Sequence, residues 1–324
     1  MPIRLDSSSL VTIYGGSGFV GRHVVQALAR TGVRLRIAVR RPDLAGHLQP
    51  LGSVGQIHAV QANLRYPDSV QKAAEGADAV INLVGILYES GNQRFDSIQA
   101  EGARAVARAA KKHGATSLVH LSAIGADENS PAHYARSKAI GEKAVGKTFP
   151  EAVVLRPSVI FGPEDEFFNR FAAMARMAPA LPLIGGGGTR FQPVYVGDVA
   201  RAVVAALDGR CRPGEIYELG GPDVMTLRDV YEKVLEHSNR RRLLLPLPFG
   251  LAKFTAWFFQ LLPSPLLTVD QVRLLQSDNV VDRIAVMEKR TFRHMGIEPI
   301  SADAVIGDYL QRFRPRGEFA PLGG

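Results

Sequence analysis

Short apolar runs alternate with longer segments of helical periodicity through the first half of the chain. The runs are rich in Val, Ile and Leu and predict buried strands at residues 11–14, 33–39, 56–61, 78–84, 117–122 and 151–156. Helices are predicted between them, among them residues 19–30 and 94–112. Because strand and helix alternate with short links, the expected fold is α/β with a doubly wound parallel sheet.

A glycine-rich turn joins the first strand to the first helix. Residues 15–21 read Gly-Gly-Ser-Gly-Phe-Val-Gly, a G-x-x-G-x-x-G spacing. Glycines let backbone approach a pyrophosphate, and the free N–H groups at a helix start attract anions. An ordinary strand-to-helix turn is the alternative. The pattern favours a dinucleotide site, with these cofactor-binding residues: Gly15, Ser17, Gly18, Phe19, Val20 and Gly21.

Two arginines, Arg40 and Arg41, follow the second strand, where an adenosine ribose lies in a dinucleotide-binding fold. An acidic residue at this place selects NAD, whereas a guanidinium pairs with a 2′-phosphate. The expected cofactor is therefore NADP(H) in preference to NAD(H). A pair of solvated loop arginines is the alternative.

The ends of three other strands supply further candidate residues. Asn63 follows the third strand, where it either hydrogen-bonds the adenine or caps a turn. Pro157 and Ser158 come at the end of the sixth strand, where the nicotinamide end of a cofactor would lie. The fourth strand ends in residues that would let the second ribose approach the backbone: Leu83, Val84 and Gly85.

Tyr134 and Lys138 are four residues apart in a predicted helix, so both lie on one helical face. An ammonium beside a phenol lowers the pKa of the phenol and makes it a usable acid or base. The same lysine can hydrogen-bond a nicotinamide ribose. A Y-x-x-x-K match on a solvated helix face is the alternative, but this one follows the fifth strand of a predicted dinucleotide fold.

The alternation becomes less regular after the sixth strand. A helix is predicted at residues 167–177, a short strand at 192–196, and a helix at 199–207 with Asp198 as its N-cap. We expect a Rossmann domain at residues 1–165, joined by a returning strand near 215–221. Residues 166–324 would form a smaller, mostly helical part that faces a substrate or a partner.

A proline-flanked apolar stretch occupies residues 249–262 and contains the single tryptophan, Trp257. It includes Lys253 and is too short to span a membrane. A core helix, a lid over a pocket and an interfacial helix are all compatible with it. The neighbouring basic run, residues 240–242, adds to the case for docking on a partner or a membrane surface.

Composition indicates a folded globular protein, with 46% hydrophobic and 22% charged residues. A single cysteine, Cys211, excludes an internal disulfide and a multi-cysteine metal site and favours a reducing compartment; no metal is expected. Residues 1–10 show no apolar signal core. The net charge of +8 allows an anionic lipid, an acidic protein or a phosphorylated ligand as partner, and no nucleic-acid-binding module is found.

Two sets of motifs resemble known families. The glycine turn, the Tyr134/Lys138 pair and the residues Leu-Arg-Pro at 155–157 together resemble the short-chain dehydrogenase/reductase superfamily in its extended or atypical branch. A narrower set is similar to the NAD(P)H-binding accessory subunit of respiratory complex I and its bacterial relatives. Its segments are residues 149–152, 157–165, 168–169, 192–199, 267–272 and 277–281.

The narrower resemblance implies a tightly held NADPH whose 2′-phosphate meets Arg40 or Arg41. It also implies other subunits of a membrane-associated respiratory complex as partners, a place near membrane and quinone, and no electron transfer. The location would be cytoplasmic, peripheral on the cytoplasmic face of the inner membrane, with membrane-surface contact through residues 249–262.

The superfamily resemblance implies an alternative function, a soluble NAD(P)-dependent reductase, epimerase or dehydratase acting on a sugar nucleotide or small carbonyl. Tyr134 would then be the acid or base, and Lys138 would assist it. Superfamily enzymes polarise the substrate carbonyl with Ser or Thr shortly after the fifth strand. Ser122 is the candidate here, one or two places early, and a one-residue offset turns a side chain to the other face of an extended segment.

Overall fold

The computed structural model describes residues 6–260, 262 and 265–315 of the chain. Its strands are β1 (Leu10–Tyr14), β2 (Arg34–Val39), β3 (Ile57–Gln61), β4 (Ala79–Asn82), β5 (Ser117–Leu121), β6 (Val153–Pro157), β7 (Ile160–Phe161), β8 (Ala180–Ile184), β9 (Arg190–Phe191), β10 (Val194–Tyr195), β11 (Ile216–Leu219), β12 (Met225–Thr226) and β13 (Leu243–Leu247). Its α-helices are α1 (Phe19–Ala29), α2 (Pro67–Ala74), α3 (Glu101–Lys112), α4 (His133–Thr148), α5 (Phe168–Met177), α6 (Val196–Leu207), α7 (Leu227–His237), α8 (Phe249–Phe259), α9 (Val269–Leu274), α10 (Arg283–Met287) and α11 (Asp303–Leu310).

A seven-stranded parallel sheet has the order β11-β6-β5-β4-β1-β2-β3. The apolar runs predicted as strands are buried because helices cover parallel sheets on both faces. Chain order reverses on either side of β1, so a crevice opens at the carboxyl ends of β1 and β4, where dinucleotides bind in such sheets. The predicted doubly wound α/β fold class is confirmed.

The chain divides into two compact units. The first comprises residues 1–157, 197–219 and 282–298 and contains the parallel sheet. Its core on one face of the sheet joins side chains of β4 and β5, such as Val80 and Leu118, to an alanine-rich face of α3. Small alanines let this helix lie close to the strands.

The second unit comprises residues 158–196, 220–281 and 299–324. Besides helices, its described residues form three two-stranded sheets, β7 with β10, β8 with β13, and β9 with β12. The sequence predicted a strand there only at residues 192–196, which the structure shortens to β10. Proline obscures the β8 and β13 pair, because Pro182 and Pro246 occupy strands in which proline is disfavoured.

Element boundaries in the first unit lie close to those predicted, with two differences. The helix predicted at residues 94–112 begins with a π-helical turn, Asp96–Ala100, and continues as α3. Helix α6 begins at Val196, so Asp198 lies in its first turn and the N-cap prediction was wrong. Asp198 is buried there, and Arg201 lies 2.5 Å from its carboxylate.

Helix α4 lies unusually close to the π-helical turn because Gly141 has no side chain. A Cβ at this position would be 2.3 Å from the backbone oxygen of Gln99, far inside van der Waals contact. The side chain of Gln99 in turn donates to the backbone oxygen of Ile86 and accepts from the hydroxyl of Ser137 on α4. This close packing fixes α4 against the sheet.

We expect Gly141→Ala to lower the free energy of unfolding by about 1–3 kcal/mol, because the added methyl forces α4 away from Gln99. The matched control is Gly146→Ala in the same helix, where nothing lies within 4 Å of the added Cβ. That variant should raise the free energy of unfolding by about 0.5 kcal/mol through helix propensity. Urea denaturation measures both, and equal effects of the two substitutions would contradict the packing.

Candidate functional site

The glycine turn between β1 and α1 is built on a left-handed residue. Gly15 has φ +82°, a conformation that side chains disfavour, and its N–H donates to the backbone oxygen of Ala38 at 3.2 Å. The N–H of Gly18 donates to the oxygen of Gly15, also at 3.2 Å. Gly18 is the N-cap residue of α1, and no side chain caps the helix there. The first-turn N–H groups of α1 are therefore left for a ligand.

The turn forms a cradle that only glycine permits. A Cβ at Gly21 would be 2.3 Å from the backbone oxygen of Gly15, and a Cβ at Gly15 would be 3.1 Å from the Cγ2 atom of Val84. The turn, α1 and the end of β4 thus lie at backbone distance from one another. Ser17, Phe19 and Val20 are partly exposed around Gly18. A pyrophosphate fits this arrangement of bare backbone and uncapped helix start.

The two arginines after β2 differ in their surroundings. Arg41 lies 2.7 Å from the carboxylate of Asp43, and this pairing lowers the pKa of the carboxyl group and raises that of the guanidinium. Arg40 is exposed, and within the described part of the chain it has no hydrogen bond or ion pair. Of the two, Arg40 is the guanidinium available to a phosphate.

Asn63, after β3, caps a local turn. Its side-chain oxygen accepts from the N–H of Arg65 at 3.1 Å, and its own N–H donates to the hydroxyl of Ser69. This is the turn-capping role that the sequence left as one alternative. A contact between its amide nitrogen and adenine stays a prediction.

The end of β4 brings the glycine turn next to α4. The N–H of Leu83 donates to the backbone oxygen of Tyr14 at 3.0 Å, which continues the pairing of β4 with β1. A Cβ at Gly85 would be 3.3 Å from the Nζ atom of Lys138. Residues 83–85 therefore bridge the predicted phosphate end of the site and the predicted Tyr134/Lys138 pair.

Lys138 is buried beneath this strand end. Its ammonium donates to the backbone oxygen of Leu121 at 3.2 Å, and its Nζ atom lies 6.0 Å from the centre of the Tyr134 ring. Burial lowers the pKa of Lys138 to about 8, and the charge of Glu142 opposes that fall. The lysine is thus held at the site but directed at the end of β5.

Burial acts against ionisation of the Tyr134 phenol. Desolvation raises the pKa of Tyr134 to about 12, opposite to the direction predicted from the Y-x-x-x-K spacing. The prediction was wrong because the sequence showed the proximity of Lys138 but not the burial that outweighs it. The ring packs edge-on against Phe95 at 5.8 Å.

Ser122 follows β5 directly and is buried. Its N–H donates to the backbone oxygen of Leu155, while no described residue hydrogen-bonds its hydroxyl oxygen. An unpaired buried hydroxyl is costly, so it is a candidate group for a ligand or a water molecule. Its carbonyl-polarising role stays a prediction.

The two candidates at the end of β6 have structural partners. The backbone oxygen of Pro157 accepts from the N–H of Ile124 at 2.9 Å. The hydroxyl of Ser158 lies 2.7 Å from the side-chain oxygen and 2.9 Å from the backbone oxygen of Asn279. The Ser158 hydroxyl therefore holds the segment around Asn279 in place by hydrogen bonds. Its contact with a nicotinamide stays a prediction.

Sequence reasoning missed a buried polar pair beneath the site, Asn82 on β4 and His120 on β5. The side-chain oxygen of Asn82 accepts from the N–H of Val84, so its amide nitrogen donates to Nδ1 of His120 at 3.2 Å. The imidazole proton therefore lies on Nε2, which has no partner among the described residues. The sequence did contain one sign of this pair, because His120 lies between apolar residues of a predicted buried strand.

We expect His120 to make the protein less stable in acid. Burial and the nearby Lys138 lower the pKa of His120 to about 3, so the folded state cannot take the proton that an unfolded histidine accepts near pH 6.5. The free energy of unfolding should fall by about 1.4 kcal/mol per pH unit below about pH 6.5 through this one group. Urea denaturation of His120→Asn between pH 4 and 7 should show a smaller slope of the free energy of unfolding against pH, because unfolding takes up one proton fewer. The exposed His47→Asn serves as control, and an unchanged slope in His120→Asn would contradict the neutral imidazole.

Known proteins resemble the chain in sequence and in fold. A mitochondrial protein of Arabidopsis thaliana, NADH dehydrogenase (ubiquinone) 1 alpha subcomplex subunit 9, is 35% identical over 323 residues, covering 96% of this chain and 79% of that protein. A ceramide reductase of Caulobacter vibrioides is 34% identical over 200 residues, covering 62% of this chain and 61% of that protein. The crystal structure of an NADPH-dependent quinone oxidoreductase, QOR2 of Escherichia coli with NADPH, matches with a TM-score of 0.71 at 20% identity, covering 92% of this chain and 99% of that one.

A family model covers the site and most of the first unit. The model of the NAD dependent epimerase/dehydratase family matches residues 11–220, from β1 to the end of β11. The family description names a nicotinamide dinucleotide, the cofactor class predicted from the glycine turn. The resemblance to the short-chain dehydrogenase/reductase superfamily is thereby confirmed, and the chain belongs to the NAD dependent epimerase/dehydratase family.

Proposed function

We propose that this protein is a non-catalytic, NADP(H)-binding accessory subunit of a respiratory NADH:quinone oxidoreductase. The observation that carries the proposal is similarity to the Arabidopsis subunit along 96% of the chain, which includes the second unit. The family model, by contrast, ends at residue 220. The similarity to that subunit thus continues well beyond residue 220, where the match of the family model ends, and this supports a shared place in an assembly.

Each end of the proposed cofactor has its own group of residues. The uncapped start of α1 and the bare turn at Gly15 would hold the pyrophosphate, and Arg40 would meet the 2′-phosphate. Residues 83–85 would lie along the second ribose, within reach of Lys138. Arg41 contributes less because Asp43 already engages its guanidinium.

The Tyr134/Lys138 pair supports a bound rather than a reacting cofactor. A phenol with a pKa of about 12 is a poor base at neutral pH. Lys138 donates to the backbone oxygen of Leu121 at the end of β5, and its Nζ atom lies 6.0 Å from the centre of the Tyr134 ring. In this proposal the two side chains bind and orient the cofactor.

Helix α8 provides the surface that would dock on the membrane beside the assembly. Its fully buried residues are the small Ala252 and Ala256, and Phe249 packs against the same core, whereas its other large apolar side chains are exposed. Phe254 is 61% and Trp257 53% exposed, whereas a core helix usually buries its large apolar side chains. Lys253 lies on this helix, and the basic run at residues 240–242 precedes it closely in the sequence, which suits an anionic lipid surface.

This docking would make the protein peripheral at the membrane, on the cytoplasmic face expected from the sequence. None of the helices in the described residues is long and apolar enough to cross a bilayer. Of the apolar stretch at residues 249–262, Leu261 lies outside the described residues.

A second candidate function is favoured by the similarity to the ceramide reductase of Caulobacter vibrioides. All three residues of a Ser–Tyr–Lys set are present, and the buried hydroxyl of Ser122 has no partner among the described residues. If the protein is such a reductase, a bound nicotinamide would supply hydride chemistry. Ser122 would polarise the substrate carbonyl, and Tyr134 would act as the acid or base.

We expect Arg40→Ala to weaken NADPH binding about tenfold and to leave NADH binding nearly unchanged, because only NADPH carries a 2′-phosphate for the guanidinium. Arg41→Ala is the matched control and should cost less, since Asp43 holds that side chain. Fluorescence titration with both nucleotides measures the four affinities. Equal losses for NADPH and NADH in Arg40→Ala would contradict the 2′-phosphate assignment.

We expect the full chain to sediment with native membranes and to co-migrate with a respiratory complex in mild detergent. The double variant Phe254→Ser/Trp257→Ser should be released from the membrane fraction at least tenfold more readily, because it loses two large apolar anchors. Val54→Ser, which alters a fully exposed valine of the first unit, is the control.

Two outcomes would contradict this proposal. Retention of the double variant at the level of the unaltered protein would remove α8 from the docking surface. A lone protein that steadily oxidises NADPH with a carbonyl substrate, and loses that activity in Tyr134→Phe, would establish the reductase instead.

A further inference from the structure

One face of α4 carries three polar side chains at successive turns, Tyr134, Lys138 and Glu142. Lys138 is 5% and Glu142 6% exposed, so both charges are buried. Residues four apart on a helix have Cβ atoms about 5–6 Å from each other. The carboxylate of Glu142 is therefore the nearest negative charge to Lys138 along the helix.

Glu142 is held in place by Arg156 on β6. The guanidinium donates through Nε to one carboxylate oxygen at 2.9 Å and through Nη2 to the other at 2.6 Å. Its Nη1 atom lies 3.7 Å from a carboxylate oxygen of Glu218 on β11, whose other oxygen accepts from the N–H of Asp282 at 2.7 Å. A bidentate pair of this kind fixes the carboxylate in one orientation.

The buried charges balance only when Lys138 is protonated. Glu142 and Glu218 carry two negative charges, and Arg156 supplies one positive charge. The ammonium of Lys138 is the second. Burying an unbalanced charge is costly, so the group as a whole favours the protonated lysine.

We propose that Glu142 is a positioning residue that keeps Lys138 in its ammonium form within the dinucleotide site. The part of this inference that concerns the dinucleotide rests on the proposed function, whereas the charge state of Lys138 does not. Nothing in the glycine turn or the Tyr134/Lys138 motif indicates this role.

The groups around Lys138 act in opposite directions. Burial favours its neutral form, and Glu142 favours its charged form, which together leave the pKa of Lys138 at about 8. His120 faces it from β5, but burial keeps the imidazole neutral. Tyr134 is neutral as well, and the backbone oxygen of Leu121 accepts from the ammonium. Glu142 is thus the charged neighbour whose removal should move the equilibrium most.

The test compares Glu142→Gln with Glu218→Gln. Both substitutions preserve shape, remove one negative charge and deprive Arg156 of one charged partner, but only Glu142 lies one turn from Lys138. NMR titration of protein with ¹³C-labelled lysine, with the Lys138 signal assigned through Lys138→Met, follows the protonation directly. We expect a midpoint near pH 8 in the unaltered protein, a fall of about one unit in Glu142→Gln, and a much smaller fall in Glu218→Gln.

Equal shifts in the two variants, or no shift in Glu142→Gln, would overturn the proposal and leave Glu142 a purely structural partner of Arg156. If Glu142→Gln does not fold, Glu142→Asp replaces it, since it keeps the charge on a shorter side chain. Its midpoint should stay near that of the unaltered protein, and a fall of one unit would show that packing rather than charge controls Lys138.

Nucleotide binding is the second measurement. At pH 8, Glu142→Gln should bind NADPH about fivefold more weakly than the unaltered protein, and at pH 6 the two should agree, because a charged donor holds a ribose hydroxyl more strongly than a neutral one. If the unaltered protein binds no nicotinamide nucleotide at any pH, the proposed function fails. The lysine titration still decides the role of Glu142.

Discussion

The close approach of the glycine turn to its surroundings is the constraint on which the site depends. A methyl group at Gly21 would overlap the backbone of Gly15, and one at Gly15 would press on Val84 at the end of the neighbouring strand. The backbone of the turn therefore lies close to both α1 and the end of β4, at the place where the strand order of the parallel sheet reverses. Glycine at these two positions leaves the backbone of the turn bare, as the close approach of a pyrophosphate requires.

Burial controls the chemistry of the groups beside that turn. Removing Tyr134, Lys138 and His120 from water favours the neutral form of each. For the lysine alone, the negative charge of Glu142 opposes this tendency.

The second unit carries the features that distinguish this protein from a general dinucleotide-binding fold. On α8 the small residues face inwards and the aromatic residues outwards, which leaves Phe254, Trp257 and Phe258 exposed. A cluster of exposed aromatic side chains is unusual on a surface that only water covers. The glycine turn and this aromatic cluster belong to different units of the chain.

The sequence by itself determined the order of strands and helices in the parallel sheet of the first unit, and the glycine turn, because periodicity and glycine spacing act locally. It also placed Arg40, Gly85 and Lys138 at strand ends or on a helix face of the same fold. Only the tertiary structure decided which groups are buried together. The pairing of Arg41 with Asp43, and the desolvation that raises the pKa of Tyr134, depend on how the chain packs around each group. Glu142 and Glu218, which contact Arg156, come from separate parts of the chain and meet only when it folds. No local sequence pattern could therefore reveal this group of buried charges.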